Sequence, residues 1–198
     1  MMDLIEGEIT IDDMNISLFQ GEEVRSRINV ISQQPFFIPG SIRVNLDPRN
    51  RASNEAIETA LRKVHLWEKL ADLDTRRSGI VPTENRHVLD QEFVLTEWSH
   101  GEQQLFCLAR ALLKSDCRIL VLDEVMSSVD ARTEAIMQDI VDTEFRDLTV
   151  ISVMHRYAHV MSYDRVAILR QGRLVECDSP QVLLGRDSAF RALYHQRH

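Results

Sequence analysis

Polar and apolar positions alternate through residues 7–16 (GEITIDDMNI), placing Ile9 and Ile11 on one face ahead of an Asp-Asp-Met-Asn turn, and this pattern predicts an edge hairpin. Residues 24–32 (VRSRINVIS) end in a β-branched run and then meet Gln33, Gln34 and Pro35, so a strand leading into a loop is expected. The period then changes. Ile57, Ala60, Leu61 and Val64 recur at helical spacing behind the capping residues Ser53 and Asn54, which predicts helix to about Leu73. Residues 75–92 are polar and irregular, with Gly79 and Pro82, and predict an exposed connection.

Regular patterning resumes afterwards. Residues 103–113 read as helix, 118–122 (RILVL) as a buried strand, 131–144 as helix, and 148–153 (LTVISV) and 165–169 (RVAIL) as strands. A short strand over 173–176 follows the Gln171-Gly172 turn. Helices alternating with apolar strands predict an α/β domain with a largely parallel, two-sided sheet.

With 198 residues and 44% hydrophobic content the chain can bury one core, which fits a single domain. No stretch approaches the roughly 18 apolar residues that cross a bilayer, and the opening MMDLIEGEIT lacks a secretory layout, so the chain itself is expected to be soluble. Cys107, Cys117 and Cys177 are odd in number and set among apolar neighbours, which suits reduced core thiols in the cytosol. A formal charge of -8 without clustered Lys and Arg argues against nucleic-acid binding. The short basic groups, Arg49 with Arg51 and Arg76 with Arg77, read as solvated surface.

Candidate chemistry begins at Ile119-Leu120-Val121-Leu122-Asp123-Glu124, where two carboxylates emerge as an apolar strand ends. Sites in such sheets lie at the carboxyl ends of strands. Asp123 can hold Mg²⁺ there and Glu124 can orient or deprotonate an attacking water, although a solvated acidic turn explains the same residues. Ser99 and Glu102 form an S-x-x-E capping box ahead of a helix whose free amides, beside Gly101, also suit a phosphate. His155 closes a strand and can donate to a phosphate oxygen, or be an ordinary surface histidine. The Gln33 amide can bind Mg²⁺ or water, but alone it says little.

Taken in order, these features resemble the ATP-binding-cassette family: Gln33 at its Q-loop, Ser99-His100-Gly101 at its signature, Asp123-Glu124 at its Walker B end, Ser127-Ser128-Val129-Asp130 at its D-loop and His155 at its switch histidine. The stretch from Pro35 to Pro48, ending Asn45-Leu46-Asp47-Pro48, and the segment from Gly172 to Pro180 resemble subfamily C, the multidrug-resistance-protein exporters. The likeness runs from Gly7 to Tyr194. It implies a P-loop NTPase-like ATPase domain, with a helical and signature subdomain over about 54–113 and the Walker B, D-loop and switch-histidine part over 114–198. It also implies ATP and Mg²⁺ as ligands, a head-to-tail second ATPase domain and the transmembrane domains of an exporter as partners, and a place on the cytoplasmic face of a membrane. By the same resemblance Glu124 activates water, His155 contacts the γ-phosphate, Gln33 and Asp123 serve the metal, Ser99 and Gly101 touch ATP held by the opposite domain, and Asp130 joins the two sites. The loop carrying Phe36, Phe37 and Ile38 either helps form the groove for a short helix of the membrane domain or simply faces the core.

Departures matter as much. The family's phosphate loop, G-x-x-x-x-G-K-S/T, is missing, since no Gly-Lys pair occurs and the chain has only seven glycines. The family places that loop ahead of the segment resembled by residues 7–16, so the domain is expected to be incomplete at its front, to expose apolar surface there and to show negligible ATPase activity alone. The usual L-S-x-G-Q signature is here Trp98-Ser99-His100-Gly101-Glu102, and Glu102 repels phosphate unless it turns back into the capping box. An irregular signature beside an intact Glu124 suits the second, C-terminal ATPase domain of a subfamily C exporter. Two functions follow as alternatives, an ATP-hydrolysing domain driving export or an inactive remnant that only binds or regulates a partner. A DNA-repair or chromosome-organising ATPase would need long heptads or a basic face, and neither is present.

Overall fold

The computed structural model describes residues 6–78 and 87–196, and the chain divides into two compact units, Met1–Val153 and Met154–His198. The first unit opens with the expected hairpin, β1 (Thr10–Ile11) paired antiparallel to β2 (Met14–Asn15). Its two-residue turn places Asp12 and Asp13 at φ 50° and 60°, the left-handed conformation that such hairpins require and that Asp tolerates.

Residues 24–27 are not strand. They belong to α1 (Gly21–Arg27), which runs directly into β3 (Ile28–Ile31). Val24 is the only residue of this helix that is buried, while Glu22 and Glu23 lie in its first turn and Arg25 and Arg27 in its last, the charge order that a helix dipole favours.

The segment after β3 folds around Asn45. Ser41 caps the short helix α2 (Ile42–Leu46), and within it Asn45 is almost fully buried. Its amide accepts from the Ile38 N–H at 2.9 Å and donates to the carbonyls of Ile38 at 2.9 Å and Ser41 at 3.1 Å. Asp47 then accepts from the N–H groups of Arg51 and Ala52, fixing the next turn. The Asn-Leu-Asp-Pro stretch thus ends α2 and turns out of it, with polar side chains that supply partners to backbone groups of the adjoining loops.

The predicted helix to Leu73 is two helices, α3 (Asn54–Lys63) and α4 (Trp67–Ser78), separated by His65 at φ 58°. Val64 and Leu66 are both buried, and residues two apart face opposite sides of a continuous helix, so the break lets both enter one core. The predicted exposed connection is only partly exposed. Residues 79–86, including Gly79 and Pro82, lie outside the described residues, but Leu89 and Gln91 are buried. Gln91 and Phe93 are tied in by backbone bonds to Ile42 and Gly40, and the Gln91 amide donates to the Leu70 carbonyl.

Helix α5 (His100–Leu112) starts earlier than its apolar period suggests because Ser99 caps it. It is followed by β4 (Ile119–Asp123), α6 (Ala131–Glu144) and β5 (Thr149–Val153), close to expectation. Strands β3, β4 and β5 form a parallel sheet in that order, with Val30 opposite Val121 and Val121 opposite Ile151. One face buries Leu120 and Leu122 in the main core, with Leu105, Leu108 and Phe106 of α5 and Met137 and Ile140 of α6. The other face is open. Val30, Ile151 and Val153 there are 60%, 49% and 47% exposed, so the sheet is covered on one side among the described residues.

The second unit is an antiparallel hairpin, β6 (Val166–Arg170) with β7 (Arg173–Asp178), turning at Gln171 and Gly172, both with positive φ, and followed by α7 (Pro180–Gly185) and α8 (Ala189–Gln196). Its core is small: Val160, Leu183 and Phe190, with Tyr157 and Tyr194 packed against them. Glu176 anchors α8 by accepting from the N–H groups of Ala189 and Phe190, and these bonds hold its carboxyl below the ordinary range. Cysteines 107 and 117 are buried free thiols as expected, but Cys177 is exposed because it sits on the open side of the hairpin strand β7. No helix among the described residues is long and apolar enough to cross a membrane.

Replacing Asn45 by Ala leaves the half-buried Ile38 N–H without its partner. The expected cost is about 2 kcal/mol, read as a lower urea midpoint with an unchanged denaturant slope.

Candidate functional site

At the end of β4 the chain turns sharply. Asp123 is exposed at the strand's tip, and Glu124 adopts φ 52°, a left-handed conformation that costs a non-glycine residue about 1 kcal/mol or more. Three hydrogen bonds hold it there. The Glu124 N–H donates to the Val153 carbonyl at 3.0 Å, and the Glu124 carbonyl accepts from the Ser127 N–H at 3.1 Å and the Ser127 hydroxyl at 2.8 Å. The turn leaves the Glu124 side chain beside the loop that follows β3. There the Gln33 amide donates to Glu124 Oε2 at 3.4 Å and to Ser127 Oγ at 3.2 Å.

Gln33 is itself positioned by a residue that the sequence reading did not single out. Gln104 of α5 is wholly buried, and its amide donates to the backbone carbonyls of Gln33 at 2.7 Å and Ser32 at 3.3 Å. Helix α5 therefore grips the Gln33 loop directly. A buried glutamine on the apolar face of a helical pattern was the available signal.

Asp130 caps α6: its carboxylate accepts from the N–H groups of Arg132 and Thr133 at 3.0 and 3.1 Å and from the Thr133 hydroxyl at 2.6 Å. The Thr133 hydroxyl, followed by the backbone donors, holds this carboxyl below its ordinary value. Thr133 also explains Gly101. A Cβ on residue 101 would lie 2.9 Å from Thr133 Cγ2, so only glycine lets the starts of α5 and α6 approach this closely. Gly101 and Asp130 are thereby linked through one threonine.

The capping box at Ser99 is complete. The Ser99 N–H and hydroxyl donate to Glu102 Oε2 at 2.7 and 2.8 Å, and the Glu102 N–H donates back to Ser99 Oγ at 3.3 Å. Lys69 of α4 adds a salt bridge to the same carboxylate oxygen at 2.6 Å. Partial burial opposes ionisation of Glu102, but the bonds from Lys69 and from the Ser99 backbone and hydroxyl outweigh it and keep its carboxyl below the ordinary value of 4.5.

Of the three hydrophobes after Pro35, Phe37 turns inward and stacks on Phe93 at 4.4 Å, Ile38 is half-buried, and Phe36 is 72% exposed. Arg110 holds this segment, donating to the carbonyls of Phe36 at 3.1 Å and Asn45 at 2.7 Å. Beside it opens a cavity of about 540 Å³ whose lining includes Arg25, Asp47, Pro48, Arg51 and Lys114. The first unit thus brings together Gln33, Asp123, Glu124 and Ser127 at one sheet edge, and Gly101 with Asp130 at a helix junction. His155 belongs to the second unit and is described apart from that group.

A hard-oxygen set of one exposed carboxylate, Asp123, and one amide, Gln33, fits Mg²⁺, which typically takes one or two carboxylates plus substrate phosphates. No cluster of three or more His, Cys, Asp or Glu residues able to hold a metal ion by themselves occurs among the described residues.

Comparison with known proteins gives a family model described as ABC transporter that matches residues 1–127. The chain is 40% identical over 195 residues, 98% of its length, to ABC multidrug transporter B of Aspergillus fumigatus, and 41% identical over 193 residues, again 98%, to ABC transporter ecdL of Aspergillus rugulosus. It is 37% identical over 185 residues, 93% of its length, to ABC transporter C family member 9 of Arabidopsis thaliana. The chain spans 12% of the length of each of these relatives.

Two outcomes are expected from this geometry. Gly101→Ala destabilises by about 1–3 kcal/mol through overpacking, and a second change, Thr133→Ser, recovers most of that loss by removing Cγ2 while keeping the hydroxyl on Asp130; denaturant unfolding of the three variants checks it. For Glu102 the folded value lies below the unfolded one, so its contribution is present above the ordinary value of 4.5 and is lost as pH falls through the folded value. Melting curves from neutral to acid pH therefore fall more steeply for the wild type than for Glu102→Gln.

Proposed function

The chain belongs to the ABC transporter family, and from that premise we propose that it is part of an ATP-hydrolysing domain that drives export across a membrane. Its fold is of the P-loop NTPase kind, with a parallel sheet flanked by helices. The observation that carries the reading is the Gln33 amide set against Glu124 Oε2 and Ser127 Oγ at the carboxyl edge of the sheet, between residues 91 and 94 positions apart. A water-activating carboxylate next to an amide that can sense metal or water is the arrangement that phosphoanhydride hydrolysis needs.

In this reading Glu124 orients and deprotonates the attacking water, and its left-handed turn leaves the carboxylate beside the Gln33 amide. Asp123 and the Gln33 amide would hold Mg²⁺, which supplies neutralisation of the triphosphate charge. By the family likeness His155 is the residue that serves the γ-phosphate. Ser99 and Gly101 touch ATP held by a second ABC ATPase domain arranged head to tail, and Asp130 couples the two sites through Thr133. The exposed Phe36 and the neighbouring 540 Å³ cavity receive a short helix of the transmembrane domains. Similarity to a C family member supports placing the domain in a subfamily C exporter, at the cytoplasmic face of its membrane.

This reading requires a phosphate loop, and the 198 residues contain no Gly-Lys pair to form one. The missing Gly-Lys pair favours the second reading, an inactive remnant that only binds or regulates a partner.

Purified chain is expected to show no ATP turnover above background, because the triphosphate lacks its cradle of amides and lysine. Joined to upstream sequence bearing that loop, it is expected to hydrolyse ATP, and Glu124→Gln to lower the rate about 10²-fold or more while leaving ATP binding intact. Turnover by the isolated chain that Glu124→Gln abolishes would refute the need for the loop. A reconstituted domain that binds but never hydrolyses ATP would favour the regulatory remnant.

A further inference from the structure

The signature segment departs from L-S-x-G-Q at Trp98 and at Glu102, and one side chain touches both departures. Lys69 lies in α4, far from the signature in sequence. Its ammonium stands 5.0 Å from the centre of the buried Trp98 ring and 2.6 Å from Glu102 Oε2. That same oxygen accepts the Ser99 N–H and hydroxyl. Glu102 therefore occupies the backbone and hydroxyl donors of Ser99 and adds a negative charge at the start of α5, and both effects oppose an anion. The ammonium cancels that charge at hydrogen-bond distance while only 29% of each side chain is exposed, so solvent screens the pair incompletely. The ring contact limits where Lys69 can go, since a cation over an indole face is attracted to it.

We propose that Lys69 is a positioning residue that makes this irregular signature compatible with a nucleotide phosphate, by neutralising Glu102 and seating Trp98. The proposal rests on the reading that the signature engages nucleotide held by a partner domain. Lysine at position 69 and glutamate at position 102 act as one unit in place of a single neutral glutamine. The pair has a consequence that a packing role lacks: removing the cation alone is harmful, whereas removing both charges together is harmless.

The test mixes the full chain with a second ABC ATPase domain that has an intact phosphate loop and is saturated with a fluorescent, non-hydrolysable ATP analogue. Nucleotide-dependent association is read by anisotropy, with circular dichroism of each variant as a check on folding. Lys69→Met is expected to weaken association about tenfold, Lys69→Met with Glu102→Gln to return to within about twofold of wild type, and Lys69→Arg to stay near wild type. A double variant as weak as Lys69→Met, or a folded Lys69→Met that associates normally while wild type does too, overturns the role of Lys69 alone. Wild-type chain that does not associate with the loaded partner overturns the nucleotide-engaging reading and the proposal with it.

Discussion

Neighbouring strands of a parallel sheet end at the same edge, and the pairing of β4 between β3 and β5 is the constraint on which the candidate site depends. Ile31 opposite Leu122 and Asp123 opposite Val153 bring three chain segments, otherwise distant in sequence, to one rim. Leu120 and Leu122 lock that register, because a slip by one residue would move both from the core to the opposite face. The carboxylates are then placed by a local device, the left-handed Glu124 held by Val153 and Ser127. Strain of this kind survives only where the surroundings overdetermine it, and here a paired strand and a serine do so.

The helices are attached to this rim by polar contacts that an apolar core could not provide. Gln104 reaches from α5 to the backbone of Gln33, Arg110 reaches from the same helix to Phe36 and Asn45, and Gly101 lets the start of α5 lie against Thr133 of α6. One helix therefore joins the Gln33 loop, the Asn-Leu-Asp-Pro segment and the start of α6.

Much of this was legible beforehand, and the reasons differ by element. The strand ending in Asp123 and Glu124 and the helix Ala131–Glu144 stood out because their apolar periods are strong and their neighbours supply clear caps. The Asp-Asp hairpin was visible from alternating polarity together with turn chemistry. Residues 24–27 misled because a β-branched run follows without a break, and the charge order that makes them helical is weak evidence in isolation. The break at His65 was hidden because Ile57, Leu61 and Val64 keep helical spacing up to it, and only the burial of Leu66 shows why the chain must turn.

Sequence by itself determined the family, the order of motifs and the identity of the polar residues at the strand tips, since these follow from residue type and spacing along one chain. Tertiary structure decided which residues act on them: Gln104 behind Gln33, Thr133 between Gly101 and Asp130, and Lys69 on Glu102. These pairs join residues of different elements, and their distances depend on how helices pack. Packing is set by the sum of many small contacts across the core, so no local pattern in the chain records it.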